Sequence, residues 1–210
     1  MNNEMKIIVY SMLEESIDDL MEREGFIRKK NSLLYTKKIG TVRQKVDMYF
    51  YSHPSYQPNA IMHLYPFFSV SFPRVNEMAK KMTEYDETVV RMKNETVRQP
   101  IQLMIKSERW MLVDLEEKKA VALKISKFIK QYTIPLLAEL ECEDDFIKLY
   151  EKQDERVMMA DVQHIFVASA YVLRGDYEKG LKVLDSRFGK LGRRKYANAF
   201  QYIENLLSGT

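Results

Sequence analysis

Cysteine is nearly absent. Cys142 stands alone among 210 residues, so no disulfide framework can form within the chain and no thiolate metal cluster can assemble. Glycine and proline are scarce, at seven and six, which excludes collagen-like and low-complexity chains. So few glycines make a phosphate-cradling loop hard to build, and no Walker-type loop, Gly-x-Gly-x-x-Gly or Gly-x-Ser-x-Gly occurs. No apolar run reaches the roughly 18 residues of a membrane span. Neither sign of charge dominates: 33 Lys and Arg face 30 Asp and Glu. Both halves keep that balance, so no basic arm or acidic tail points globally to nucleic acid.

What is present is the composition of a globular protein. The chain is 46% hydrophobic and 30% charged, enough to bury one core, or one core with a smaller appendage. Met1 to Lys6 precede only four apolar residues, Ile7 to Tyr10, before Ser11. That stretch is too short for a secretory signal and predicts a cytoplasmic location.

The period of the apolar residues changes along the chain. Tyr10, Leu13, Ile17, Leu20 and Met21 recur at helical spacing, with Ser11 and Glu14 spaced as a capping box and Gly25 placed to end the helix. Met5 to Tyr10 fit either an extension of that helix or a short strand. From Val42 to Tyr51 the period is two: Val42, Val46, Met48 and Phe50 share one face, and Arg43, Lys45, Asp47, Tyr49 and Tyr51 the other. Phe26 to Lys38 reads as the hairpin partner, turning at Ile39-Gly40. A loop over 53–59 follows, then a third strand through Met62, Leu64, Phe68, Val70 and Phe72, with a bulge or edge at Pro66. A short helix over 73–82 starts on Pro73. Residues 83–98 fit no period, and strands are expected over Ile101–Ile105 and Arg109–Val113, the second holding Trp110.

From Glu116 onward the pattern is helical, with a stripe of Val121, Ile125, Phe128, Ile129 and Tyr132 ending before Pro135. Further helices fit 146–153, 156–173, 177–188 and 193–207. The predicted class is α+β: an antiparallel sheet of about five strands, covered by helices on one face and followed by a helical C-terminal third. The expected division is a sheet domain over 1–140 and a helical extension over 141–210 packed on it.

Two resemblances follow from these motifs. A helix, then Gly25-Phe26-Ile27-Arg28-Lys29-Lys30, strands, Trp110 and a helix ending Tyr132-Thr133-Ile134-Pro135-Leu136-Leu137 resemble a bacterial domain family of unknown function. The similarity spans about residues 5–140 and implies the α+β fold without an assigned chemistry. Ala168-Ser169-Ala170-Tyr171, Arg174-Gly175-Asp176-Tyr177-Glu178-Lys179-Gly180 and Leu184 resemble the helical hairpin of a tetratricopeptide repeat, with Gly180 where alanine is usual. Because repeat arrays need about three stacked units, a single unit implies one docked hairpin and no peptide groove.

The chemistry-bearing residues are thinly spread. His53, His63 and His164 lack the spacing of a helical zinc site. His53 and His63 could converge with Asp47 on one polar site if the 53–60 loop folds back. Cys142 lies among Glu139, Glu141, Glu143, Asp144 and Asp145, a setting that disfavours its thiolate and so its use as a nucleophile. That acidic run lacks the spacing of a calcium loop and reads as a solvated helix start. Glu14, Asp18 and Glu22 recur every four residues on an outer helix face. No catalytic residue, metal or cofactor is assigned, and the chain leans away from an enzyme.

The most uneven segment is the first hairpin. Between Phe26 and Lys45 stand Arg28, Lys29, Lys30, Lys37, Lys38, Arg43 and Lys45, with no acid. With Tyr35, Tyr49 and Tyr51 they would make a basic, aromatic sheet face, suited to nucleic acid or to keeping an open sheet soluble. Arg187, Lys190, Arg193, Arg194 and Lys195 form a second cluster. The leading functional expectation is a non-enzymatic protein-binding module, in its specific form an immunity-like protein. A sequence pI near 8.7 sits poorly with mimicry of nucleic acid. Nucleic-acid binding through residues 26–45 is the alternative, and no membrane partner is expected.

Overall fold

The computed structural model describes residues 3–105 and 109–209. Met1 and Asn2 of the N-terminal reading, and the side chain of Lys190, lie outside the described residues.

The class is α+β, as the changing period indicates. Helices α1 (Asn3–Ser16) and α2 (Asp18–Arg23) come first, and Val9, Met12, Leu13, Leu20 and Met21 form their buried stripe. Met5 to Tyr10 are therefore helical. Ser11 lies inside α1 rather than capping it, and its hydroxyl donates back to the Ile8 carbonyl at 3.1 Å. Gly25 does end α2: at φ +81° it lets Phe26 N–H reach Met21 O and its own N–H reach Glu22 O, both at 2.9 Å.

The strands are β1 (Ile27–Arg28), β2 (Leu34–Ile39), β3 (Val42–Asp47), β4 (Phe50–Ser52), β5 (Met62–Leu64), β6 (Phe67–Ser71), β7 (Val97–Pro100) and β8 (Trp110–Leu112). They form a five-stranded sheet in the order β1-β2-β3-β6-β7 and a three-stranded sheet in the order β4-β5-β8. Two stretches read as single strands are each divided between the sheets. Met48 N–H bonds to Leu33 O at 2.9 Å, whereas the next carbonyl, Tyr49 O, receives Tyr65 N–H at 2.7 Å. The alternation continues through that transfer, so Val42, Val46, Met48 and Phe50 are all buried as expected. The second transfer falls at Pro66, which has no N–H to give a ladder.

The strand expected over Ile101–Ile105 is displaced. β7 ends at Pro100, and Ile101–Leu103 form a 3-10 turn. Val97 and Gln99 point inward with Arg98 exposed between them, and a buried glutamine concealed the alternation from a hydrophobic count.

The remaining helices are α3 (Pro73–Met82), α4 (Glu87–Arg91), α5 (Lys118–Phe128), α6 (Ile134–Ala138), α7 (Glu143–Glu151), α8 (Asp161–Arg174), α9 (Tyr177–Gly192) and α10 (Ala197–Ser208). The helix expected to stop before Pro135 runs on, because a π turn over Ile129–Thr133 leads into α6 with the proline in its first turn. The wider turn accommodates a residue that cannot donate. Among the described residues, no helix is long and apolar enough to cross a membrane.

The chain groups into two compact units, both discontinuous: residues 1–39, 43–69 and 98–139, and residues 40–42, 70–97 and 140–210. Residues 70–97 group with the C-terminal helices. In the second unit α8 and α9 form the hairpin that the sequence suggests. Gly175 turns at φ +84°, with Asp176 N–H on Tyr171 O at 3.0 Å. A Cβ added at Gly180 would lie 3.2 Å from Ala168 O and 3.6 Å from Tyr171 Cβ, so glycine permits the close approach of the two helices. Gly180→Ala is expected to gain no stability despite a helix-propensity advantage of about 1 kcal/mol, and Gly180→Leu to cost at least about 2 kcal/mol, both measured by thermal unfolding.

Candidate functional site

The structure separates the residues of the expected basic face. Tyr35 is only 1% exposed, and its hydroxyl bonds to Asp18 Oδ1 at 2.5 Å. Arg28, paired with Tyr35 across β1 and β2, is drawn to the same carboxylate, with Nε 2.8 Å from Oδ1. These two belong to a lock that ties α2 to the hairpin and are not part of an open surface. The parity of β2 is set by α2, and basic composition does not reveal it. Lys29, Lys30 and Arg43 remain exposed, and Lys45 is half-buried.

Of the residues expected to form a polar site, Asp47 is half-buried, His53 exposed and His63 buried. His53 is exposed at φ 45°, whereas His63 is 4% exposed. Among the described residues, no group of three or more His, Cys, Asp or Glu could hold a metal ion. His164 Nδ1 donates to Ala160 O at 3.0 Å. It lines a groove with Tyr150, Glu151 and Asp154, where Glu151 is engaged by Tyr171 and Lys179 and Asp154 by Arg156. Cys142 opens α7 with its Sγ 3.1 Å from Asp145 Oδ2; burial and that carboxylate push its thiol up. Arg187 pairs with Asp161, and Arg193 with Asp185 and Glu204, so these members of the second cluster are neutralised.

What the fold assembles instead is an aromatic face on the small sheet. In the registers Phe50↔Leu64 and Leu64↔Trp110, the inward side is apolar and buried. The outward register pairs Tyr51 with His63 and His63 with Met111, and alternation adds Tyr49, Tyr65, Arg109 and Val113. None of these outward residues is acidic. Tyr49 and Tyr51 pack edge-on at 5.5 Å, His63 and Tyr65 at 5.3 Å, and Tyr65 and Phe67 at 5.3 Å. Across β4 and β5, Tyr51 also meets His63 at 6.3 Å, and aromatic packing of this kind stabilises a sheet by itself. Yet Tyr49 remains 45% exposed, Tyr51 46% and Tyr56 53%. The face is bordered by two guanidinium groups, Arg98 lying 4.3 Å from the Phe67 ring centre and Arg109 lying 5.6 Å from that of Tyr56.

His63 sits beneath this layer. Its Nδ1 is 2.5 Å from the Tyr56 hydroxyl, and its buried Nε2 has no hydrogen-bond partner. Burial, then the Arg109 charge, hold the imidazole below its ordinary pKa of 6.5, so it is neutral. Burial likewise pushes the Tyr65 phenol up, so its hydroxyl stays neutral. Sequence reading identified Tyr49, Tyr51 and His63 but missed Tyr56, Tyr65, Arg98 and Arg109. For Tyr65 and Arg109 the signal was the same alternation that marked Tyr51. For Tyr56 and Arg98 there was none, because one lies in a loop and the other in a stretch without recognisable period.

No protein-family model, curated protein or solved structure matches the chain.

Proposed function

We propose that this protein is a non-enzymatic binding module of the bacterial cytoplasm that docks a protein partner on the outward face of the β4-β5-β8 sheet. The observation that carries this reading is the uncovered cluster of Tyr49, Tyr51 and Tyr56 beside Arg98 and Arg109. Tyrosine and arginine are over-represented among residues that dominate binding energy, and contiguous exposed aromatic surface marks interaction sites. Arg109 beside the tyrosines favours a partner surface carrying a carboxylate beside an apolar centre. An immunity-like role, and kinship with the bacterial family that residues 5–140 resemble, belong to this reading as its specific form.

The test is capture from native lysate with the full chain and with the Tyr49→Ser, Tyr51→Ser double variant as bait. A stoichiometric protein retained by the first and reduced at least about tenfold by the second is expected. Both rings also pack within the sheet, so the unfolding midpoint should fall, and capture is compared at a temperature where both baits are folded. Equal capture by both baits overturns the proposal. Salt-sensitive retention of single-stranded nucleic acid instead would favour the second reading, in which the tyrosines stack bases and Lys29, Lys30 and Arg43 meet phosphates.

A further inference from the structure

We infer that Tyr56 and His63 form a latch that controls access to the His63 imidazole beneath the aromatic face. This rests on the reading of that face as a contact surface, but its own mechanism concerns the free protein. The loop carrying Tyr56 is held only at its ends. Pro54 and Ala60 are buried, whereas residues 55–59 are exposed. Its backbone is closed by His53 N–H on Ile61 O, Gln57 N–H on Pro54 O and Ala60 N–H on Gln57 O, at 2.9 to 3.0 Å. Between those anchors the Tyr56 hydroxyl bonds to His63 Nδ1, with Arg109 lying over the Tyr56 ring.

The closed arrangement is costly for His63. With its proton on Nε2, the imidazole accepts from the phenol and buries an unpartnered donor, a desolvation that folded proteins usually avoid. The titratable and charged groups around the ring are Tyr51 from β4, Tyr56 from the loop, Tyr65 beyond β5 and Arg109 beside β8. None is a carboxylate that could offset a positive charge. Protonation therefore places a cation under three phenols and beside a guanidinium, and lifting the loop is the move that hydrates it. Acid opens the latch, and neutral pH closes it. An opened loop presents both imidazole nitrogens beside Arg109, a pair of donors for a partner carboxylate.

The test uses the full chain without any partner. Histidine NMR titration is combined with amide exchange of His53, Gln57 and Ala60, corrected for intrinsic rates, between pH 7.5 and 4.5. His63 should titrate below 6.5, and protection of the three amides should fall through that same titration. In Tyr56→Phe, which keeps the ring, protection should already be about fivefold lower at pH 7.5, the equivalent of one hydrogen bond of about 1 kcal/mol, and His63 should titrate nearer 6.5. Protection that is flat through the His63 titration, or identical in the variant, overturns the latch. Because no partner enters, such a failure is distinct from failure of the capture experiment.

Discussion

Asp18→Ala should lower the unfolding free energy by about 3 kcal/mol, read as a drop in the urea midpoint with an unchanged slope. The carboxylate accepts from Arg28 Nε at 2.8 Å and from the Tyr35 hydroxyl at 2.5 Å, and a second Arg28 nitrogen closes on its other oxygen. The Arg28 side chain is 10% exposed, so alanine would leave a largely buried cation with only the Ser32 carbonyl and the more distant Glu14 carboxylate, and would remove the acceptor of a buried phenol. Tyr35→Phe removes one donor and leaves the ion pair, and should cost closer to about 1 kcal/mol. The two variants thus separate the pair from the phenol.

The same group carries a pH signature. Burial alone would raise the Asp18 pKa, but the hydrogen bonds from Arg28 and Tyr35 and the Arg28 charge outweigh it and hold the carboxyl below its usual 3.8. A carboxyl depressed by folding contributes stability that is complete above its unfolded value and is lost as pH falls through its folded value. The stability gap between the native protein and Asp18→Ala should therefore be constant above about pH 4 and shrink below it. A gap independent of pH down to 2 would show that the lock does not depend on the ionised carboxylate.

Asn76→Ala should cost about 2 to 4 kcal/mol, because it dismantles a buried polar network. Asn76 Nδ2 donates to Asn94 O at 2.9 Å and to Ser71 Oγ at 3.3 Å, and its Oδ1 accepts from Thr96 Oγ1 at 3.2 Å. Thr96 Oγ1 in turn accepts Phe72 N–H at 3.0 Å, where β6 passes into α3. Lys93 and Asn94 both hold positive φ, 49° and 65°, a conformation that the surroundings must impose on residues other than glycine. Amide exchange should accelerate over residues 93–97 in the variant, with the stack of Phe72 on Phe146 loosening as global stability falls. Unchanged exchange there would place the cost elsewhere.

Short-range periodicity was legible wherever one rule governed a run of residues. Val42 to Tyr51 alternate as read because each side chain answers to the same sheet surface on either side of the transfer from β3 to β4. The aromatic face was legible in part for that reason: Tyr49 and Tyr51 occupy the predicted side, whereas Tyr35, grouped with them by composition, faces Asp18. His63 shares the outward register with Tyr51 yet is buried, since a loop phenol and the neighbouring rings close over it. Parity tells which way a side chain points, but not what other segments lay on top.

Sequence alone determined the class, the helix ends at Gly25 and Gly175, the helix start at Pro73 and the greasy side of Val42–Phe50, all consequences of backbone sterics and period within a few residues. Tertiary structure decided that two apparently continuous strands each serve two sheets, that Arg28 and Tyr35 serve stability, and that Tyr56 reaches His63. Those outcomes depend on which distant segments supply the missing hydrogen-bond partners, and that choice is settled only when the whole chain packs.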